Sequence, residues 1–110
     1  MHVTDLDGGS TAQERTWTAV ITILVVDSNG MPVEGATVNG SWSSGATGSA
    51  ACLTGSNGTC VVSESDIRNS FNTVSFTVSN VSHAALTYNS AANSDPDGDS
   101  DGTTIVVSKP

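Results

Sequence analysis

Bases are scarce in this chain: 110 residues carry three Lys and Arg against eleven Asp and Glu, for a net charge of -8. That balance excludes a phosphate-neutralising nucleic-acid surface and disfavours adsorption to anionic membranes. Apolar runs are short as well. None approaches the roughly 20 residues a membrane-spanning helix needs, and Met1 is followed by polar residues rather than a signal-peptide core, so no membrane insertion is expected. The abrupt ends read as those of a module from a longer parent, whose signal peptide would lie outside it. Lys and Glu are few, while Ser, Thr, Asn and Gly are plentiful, which suits strands and tight turns and suits helices poorly. Histidine is limited to His2 and His83, so a zinc centre would need both of them beside the two cysteines, and a disulfide is the favoured reading of the cysteine pair. No convergent set of nucleophile, base and orienting acid stands out around His83. The acids crowd one loop instead of facing each other across a cleft, as a glycosidase requires. An enzyme is not expected. Aromatic rings are also few: Trp17, Trp42, Phe71, Phe76 and Tyr88.

What is present falls into strands. Trp17 to Val26 is the longest β-branched run, and both of its faces are apolar, so alternation leaves its register open and a bulge could be hidden in it. Ala36, Val38, Gly40 and Trp42 share one face of the next strand. Val74, Phe76 and Val78 alternate with Ser75, Thr77 and Ser79, marking a half-exposed strand. His2 to Asp7 is a short strand with Asp5 and Asp7 on a common face, broken by Gly8-Gly9-Ser10. Ala85 to Tyr88 reads as another short strand, and Thr103 to Val107 as the last. Seven or eight strands divided by turns over residues 1–110 predict an all-β antiparallel sandwich in a single module.

Cys52 and Cys60 flank a segment rich in turn formers. Their spacing predicts a disulfide across a hairpin of Ala50–Leu53 and Thr59–Val62, hence a site outside the cytoplasm, secreted or on the cell surface.

The densest chemistry lies in Asn93-Ser94-Asp95-Pro96-Asp97-Gly98-Asp99-Ser100-Asp101-Gly102, where Asp95, Asp97, Asp99 and Asp101 alternate. Such acids need full solvation or a bound divalent ion. From Asp97 the order D-x-D-x-D-G matches the first half of a calcium loop, but Ser108 stands where the closing Glu would be. Another part of the chain must complete the shell. The expected Ca2+ ligands are therefore Asp97, Asp99 and Asp101, with Asp5 or Asp7 from the first strand and Asp95 as ligand or outer charge.

Val25-Val26-Asp27-Ser28-Asn29-Gly30-Met31-Pro32-Val33-Glu34-Gly35-Ala36-Thr37-Val38 resembles the V-x-D-x-x-G-x-P-V-x-G-A-x-V signature of invasin-type and related bacterial immunoglobulin-like modules. His2-Val3-Thr4-Asp5-Leu6-Asp7-Gly8 and Asp95-Pro96-Asp97-Gly98-Asp99-Ser100-Asp101-Gly102 are similar to the opening and closing marks of one secreted subgroup. The resemblance implies an immunoglobulin-like fold and a non-catalytic accessory module of a secreted multidomain protein. It would act as a spacer between neighbouring domains; the alternatives are a polysaccharide-binding module for an attached hydrolase and an adhesion module. Sugar binding requires an exposed aromatic platform, for which Trp17 and Tyr88 are the candidates, since Trp42 and Phe76 fall on core faces.

Overall fold

The computed structural model describes residues 1–96, 98 and 100–110. Among them are seven strands: β1 (His2–Ala12), β2 (Thr16–Val26), β3 (Thr37–Ser43), β4 (Ser49–Leu53), β5 (Thr59–Arg68), β6 (Thr73–Ser82) and β7 (Thr104–Ser108). One 3₁₀ turn, Ser90–Ala92, is the only helical element described, and no described helix is long and apolar enough to cross a membrane. The strands form two antiparallel sheets, β1-β2-β5 and β4-β3-β6-β7, in an immunoglobulin-like sandwich. Successive strands alternate in direction. The connections 13–15, 44–48 and 69–72 therefore gather at one pole, and 27–36, 54–58 and 83–103 at the other, which also holds Met1. We refer to the latter as the acidic pole.

The β2 run is central because it pairs on both sides, and its inward residues Trp17, Ala19, Ile21, Ile23 and Val25 are all fully buried. From the opposite sheet Val38, Trp42, Val74, Phe76 and Ile105 complete the core. Trp42 and Phe76 meet with ring centroids 4.9 Å apart and planes tilted by 57°, a favoured aromatic arrangement. Gly40 makes room for them: a Cβ there would lie 2.3 Å from Phe76 Cζ and 2.5 Å from the Thr77 carbonyl oxygen.

Three bulges adjust this lattice. In β1 the pairing passes from Val3↔Val25 to Asp5↔Leu24, so one extra β1 residue is accommodated at Thr4. Val3 and Leu6, three positions apart, can then both point into the core and are both fully buried, which strict alternation forbids. In β5 an extra residue lies between Glu64 and Ile67, opposite Trp17 and Ala19 of β2. The irregularity suspected in β2 is thus carried by its partner. The third lies between Asn39 and Gly40, where β6 holds the extra residue.

Three local expectations are corrected. Gly8-Gly9-Ser10 does not end β1, because the ladder to β2 continues through Gly8↔Ile21, Gly9↔Val20 and Ser10↔Ala19 to Ala12↔Trp17. Extended glycines are held there by pairing that local propensity does not register. Ala85 to Tyr88 is not a strand: its polar groups turn to the N-terminus, with the Met1 amino group donating to the Thr87 carbonyl at 2.8 Å and Asn89 N–H to the Met1 carbonyl at 2.8 Å.

The third correction concerns the cysteines. The Cys52–Cys60 bond is present, with a Cα–Cα distance of 5.7 Å, but β4 and β5 are not hairpin partners. They belong to different sheets, so the disulfide clasps the two layers along the side where β4 and β5 form their edges. Beside it Thr54 is a buried polar residue whose hydroxyl donates to the Val33 carbonyl at 2.6 Å and accepts Ala36 N–H at 2.9 Å.

Candidate functional site

The first half of β1 pairs with β2 on one side and meets the 93–103 loop on the other. Asn93 Oδ1 accepts the Val3 N–H at 2.8 Å, Ser94 N–H donates to the Val3 carbonyl at 2.9 Å, and Leu6 N–H donates to Asp95 Oδ2 at 3.3 Å. These bonds satisfy an edge that would otherwise be open. Asn93 also donates from Nδ2 to the Tyr88 hydroxyl at 2.6 Å and to Thr103 Oγ1 at 3.1 Å. One amide therefore joins the N-terminal strand, the segment before the loop and the start of β7. No sequence pattern singled out Asn93; its position at the head of the acidic run was the only signal.

This loop brings Asp95 against β1. The Asp5 carboxyl lies within hydrogen-bonding reach of both the Asp95 and the Asp7 carboxyls. The bulge at Thr4 sets this up, turning Val3 and Leu6 inward and leaving Asp5 at the seam with the loop. Ser100 Oγ donates to Asp95 Oδ2, and Gly102 N–H donates to Ser100 Oγ at 3.0 Å. Asp5 is partly buried; its Oδ1 is closed off from solvent and receives no hydrogen bond from a donor among the described residues. Desolvation is the largest cause raising its carboxyl from the ordinary 3.8 to about 7, followed by the hydrogen bonds and like charges of Asp95 and Asp7.

Asp101 is placed differently. Its Oδ1 accepts the N–H groups of Thr104 at 2.7 Å and Thr103 at 2.8 Å, and these bonds, Thr104 first, hold its carboxyl below the usual range. One of its oxygens thus caps the entry to β7. Asp97 and Asp99, the other expected loop ligands, lie outside the described residues. Among the described residues no group of three or more His, Cys, Asp or Glu stands arranged to hold a metal ion.

The two aromatic candidates have other duties. Trp17 is 0% exposed, and its indole Nε1 donates to the Phe71 carbonyl at 3.2 Å. It offers no face to a sugar, and the expectation of a binding role for it is corrected: an inward β2 position governs it, as for Ala19 and Ile21. Tyr88 is partly buried against the core with its hydroxyl engaged by Asn93. His83 accepts Ala85 N–H at Nδ1 (3.0 Å), which leaves Nε2 to donate to the Glu34 carbonyl (3.0 Å). Both ring nitrogens bind backbone.

No known protein-family profile matches the chain, and no curated protein or solved structure is significantly similar to it.

The turn that carries the resemblance is built as its residues require. Asp27 Oδ1 accepts the N–H groups of Asn29 at 2.9 Å and Met31 at 3.0 Å, Gly30 takes φ 79°, and Val26 bridges to Pro32. Only glycine adopts that φ without steric cost.

Proposed function

We propose that this chain is a rigid, non-catalytic spacer module of a secreted bacterial protein, stabilised by calcium at its acidic pole. The observation that carries the spacer reading is the placement of the chain ends. An odd number of alternating strands leaves Met1 at one pole and Pro110 at the other, in a body with extents of 43 × 24 × 20 Å. Segments attached to the two ends would be held apart by the long axis. The clasp between the sheets supports rigidity and an oxidising setting, and the Asp27–Pro32 turn supports membership of the immunoglobulin-like modules it resembles. With both ring nitrogens of His83 on backbone groups, no nucleophile is paired with it.

Small-angle scattering of a two-copy tandem tests the spacer. The expected maximum dimension is roughly twice the 43 Å extent of one copy. Collapse of the tandem to near the dimension of a single copy would count against the reading.

The calcium reading is supported by the approach of Asp7 and Asp95 to Asp5, and by the buried Asp5 Oδ1 that no donor among the described residues satisfies. The contacting groups are carboxylate oxygens, the donors a hard cation takes. On the sequence pattern the ion would take Asp97, Asp99 and Asp101 from the loop, Asp5 or Asp7 as the remote ligand and Asp95 as ligand or outer charge; the described acids alone do not make a three-carboxylate group.

The pH dependence has a definite sign. Because folding raises the Asp5 carboxyl from 3.8 to about 7, the folded state binds more protons than the unfolded state between those values, and this group's contribution to stability falls as pH rises. Its full penalty is present above about pH 7. Asp101, shifted down, has the opposite dependence, its contribution being lost only in acid. In chelator, Tm is therefore expected to fall between pH 5 and pH 8 by several degrees, on the order of 1 kcal/mol after allowing for solvent screening of a partly exposed group. Millimolar calcium should reverse that fall, since it binds the folded, deprotonated carboxylates. Asp5→Asn in chelator at pH 8 should melt above the wild type and lose most of the calcium response. Point variants are required: removing the N-terminal residues would also remove Val3 and Leu6 from the core. Equal calcium responses in Asp5→Asn and wild type would refute the assignment of Asp5.

A further inference from the structure

β1 lies at the edge of its sheet, where β2 is its only ladder partner. Its free side is closed over the first half alone: the Val3 N–H and C=O and the Leu6 N–H, which turn away from β2, are taken by Asn93, Ser94 and Asp95. Beyond the Thr4 bulge the register runs unbroken to Ala12. Residues two apart on a strand send their N–H and C=O groups to the same side, so Gly8, Ser10 and Ala12 turn theirs away from β2 as Leu6 does. Among the described residues no backbone hydrogen bond reaches them from that side. β7 does not cover them either. A Cβ on Gly8 would stand 2.7 Å from Val107 Cγ2 and 3.3 Å from Ile105 Cδ1, both buried side chains, so β7 packs beneath β1 and not beside it. Between the two strands remains a recess of about 160 Å³ lined by Gly8, Ser10 and Ile105 to Ser108.

Sheet edges are ordinarily blunted by a charge, a proline or a bulge. Gly8-Gly9-Ser10-Thr11-Ala12 has none of these, and Gly8, Gly9, Thr11 and Ala12 are exposed. This stretch of open, extended backbone offers a ladder to another strand. Charge narrows the occupant. All three bases, Arg15, Arg68 and Lys109, lie at or beside the pole opposite the acidic loop and offset the acids there, so the excess negative charge of the chain belongs to the acidic pole. A second copy laid parallel would bring two acidic poles together. Laid antiparallel, it sets each acidic pole beside the partner's bases, and a two-fold axis at the middle of the open stretch puts Ser10 opposite the partner's Ser10 and Gly8 opposite the partner's Ala12. Each such pair exchanges two hydrogen bonds, about six in all. The methyl of the partner's Ala12 falls on the inward side, where Gly8 leaves the recess open. Past Ala12, the turn that holds Arg15 comes to the end of the open stretch that Asp7 adjoins.

We infer that the open half of β1 is a self-association edge, at which two copies of this chain pair antiparallel through Gly8 to Ala12 and join their three-stranded sheets into one. Neither calcium nor the spacer role enters, since these residues lie outside the acidic site and away from both chain ends. The seam is small. Two such short edges bury well under the roughly 1,200 Å² of a stable interface, which sets Kd on the order of 0.1–1 mM and confines the dimer to places where copies are crowded.

Sedimentation equilibrium and amide hydrogen exchange of the intact chain, from about 20 μM to about 2 mM at near-physiological salt, test the edge across that range. The average mass should rise toward that of a dimer. At the high end the amides of Gly8, Ser10 and Ala12 should exchange severalfold more slowly, while those of Gly9 and Thr11, already bonded to β2, stay unchanged. Ser10→Pro removes the N–H at the centre of the pairing without breaking a bond to β2, and should weaken association about tenfold or more with little change in Tm. Where proline unfolds the strand, Ala12→Glu serves instead: the new acid meets the Asp7 end of the partner, with the same expected loss. Arg15→Glu should weaken the dimer more than Arg68→Glu, because Arg68 ends β5 at the opposite edge of the sheet. A monomer at every concentration overturns the proposal. So do protection confined to β7 or another edge, undiminished association in Ala12→Glu, or equal effects of the two arginine reversals.

Discussion

Trp17→Ala is expected to lower the stability of this module by about 3–5 kcal/mol, enough to leave a marginal domain of its size partly unfolded at room temperature. The indole is 0% exposed and belongs to the same buried row of β2 as Ala19, Ile21, Ile23 and Val25. Truncation would leave a cavity at the end of that row farthest from the acidic pole. It would also strip the Phe71 carbonyl of its 3.2 Å partner, loosening the loop after β5. Trp17→Phe separates the two effects. It keeps most of the volume and loses the hydrogen bond, and should cost about 1–2 kcal/mol. Urea denaturation followed by circular dichroism gives both values; a loss under 1 kcal/mol for Trp17→Ala would mean that the indole is not in the core.

The second large effect is expected from opening the clasp. A double Cys52→Ala, Cys60→Ala variant should lose about 2–3 kcal/mol, the chain-entropy value for so short a closed loop, with Tm falling by roughly 10 °C or more. The sequence separation is 8. Because the bond joins sheets, its loss should also show locally. β4 has only five residues and one ladder, to β3, in which Val38 pairs with Cys52. Without the tie its amides should exchange much faster, while those of β2, paired on both sides, remain limited by global unfolding. A melting curve unchanged by reductant, or uniform exchange in β4 and β2, would show that the sheets do not need the bond.

The legible and illegible parts of the candidate site differ by a physical rule. Alternation of apolar residues is local, so the core faces of Val38 with Trp42 and of Val74 with Phe76 could be read directly. The juxtaposition of Asp5 with the loop beginning at Asp95 also followed from strand order, because the first and last strands of such a sandwich start at the same pole. Asn93 could not be found this way. It matters because three separate segments, at Val3, Tyr88 and Thr103, converge on one amide. The open edge beyond Leu6 was equally hidden, since local propensity ends β1 at Gly8 and only pairing with β2 carries it on to Ala12.

Composition and period by themselves determined an all-β sandwich of about seven strands, a cysteine pair bonded to itself, and an acidic end with its charges drawn from both termini of the chain. Each follows from residues near one another in sequence, or from the small number of ways antiparallel strands can be ordered. Tertiary structure decided the rest. β1 runs through its glycines because β2 holds it. The disulfide spans layers because β4 and β5 peel away into different sheets. Trp17 is core and Phe71 surface because the pleat of β2 faces inward at the first while the loop after β5 turns outward at the second. The apolar faces of β2 could not distinguish these outcomes, for a strand hydrophobic on both sides fits either register until its neighbours are in place.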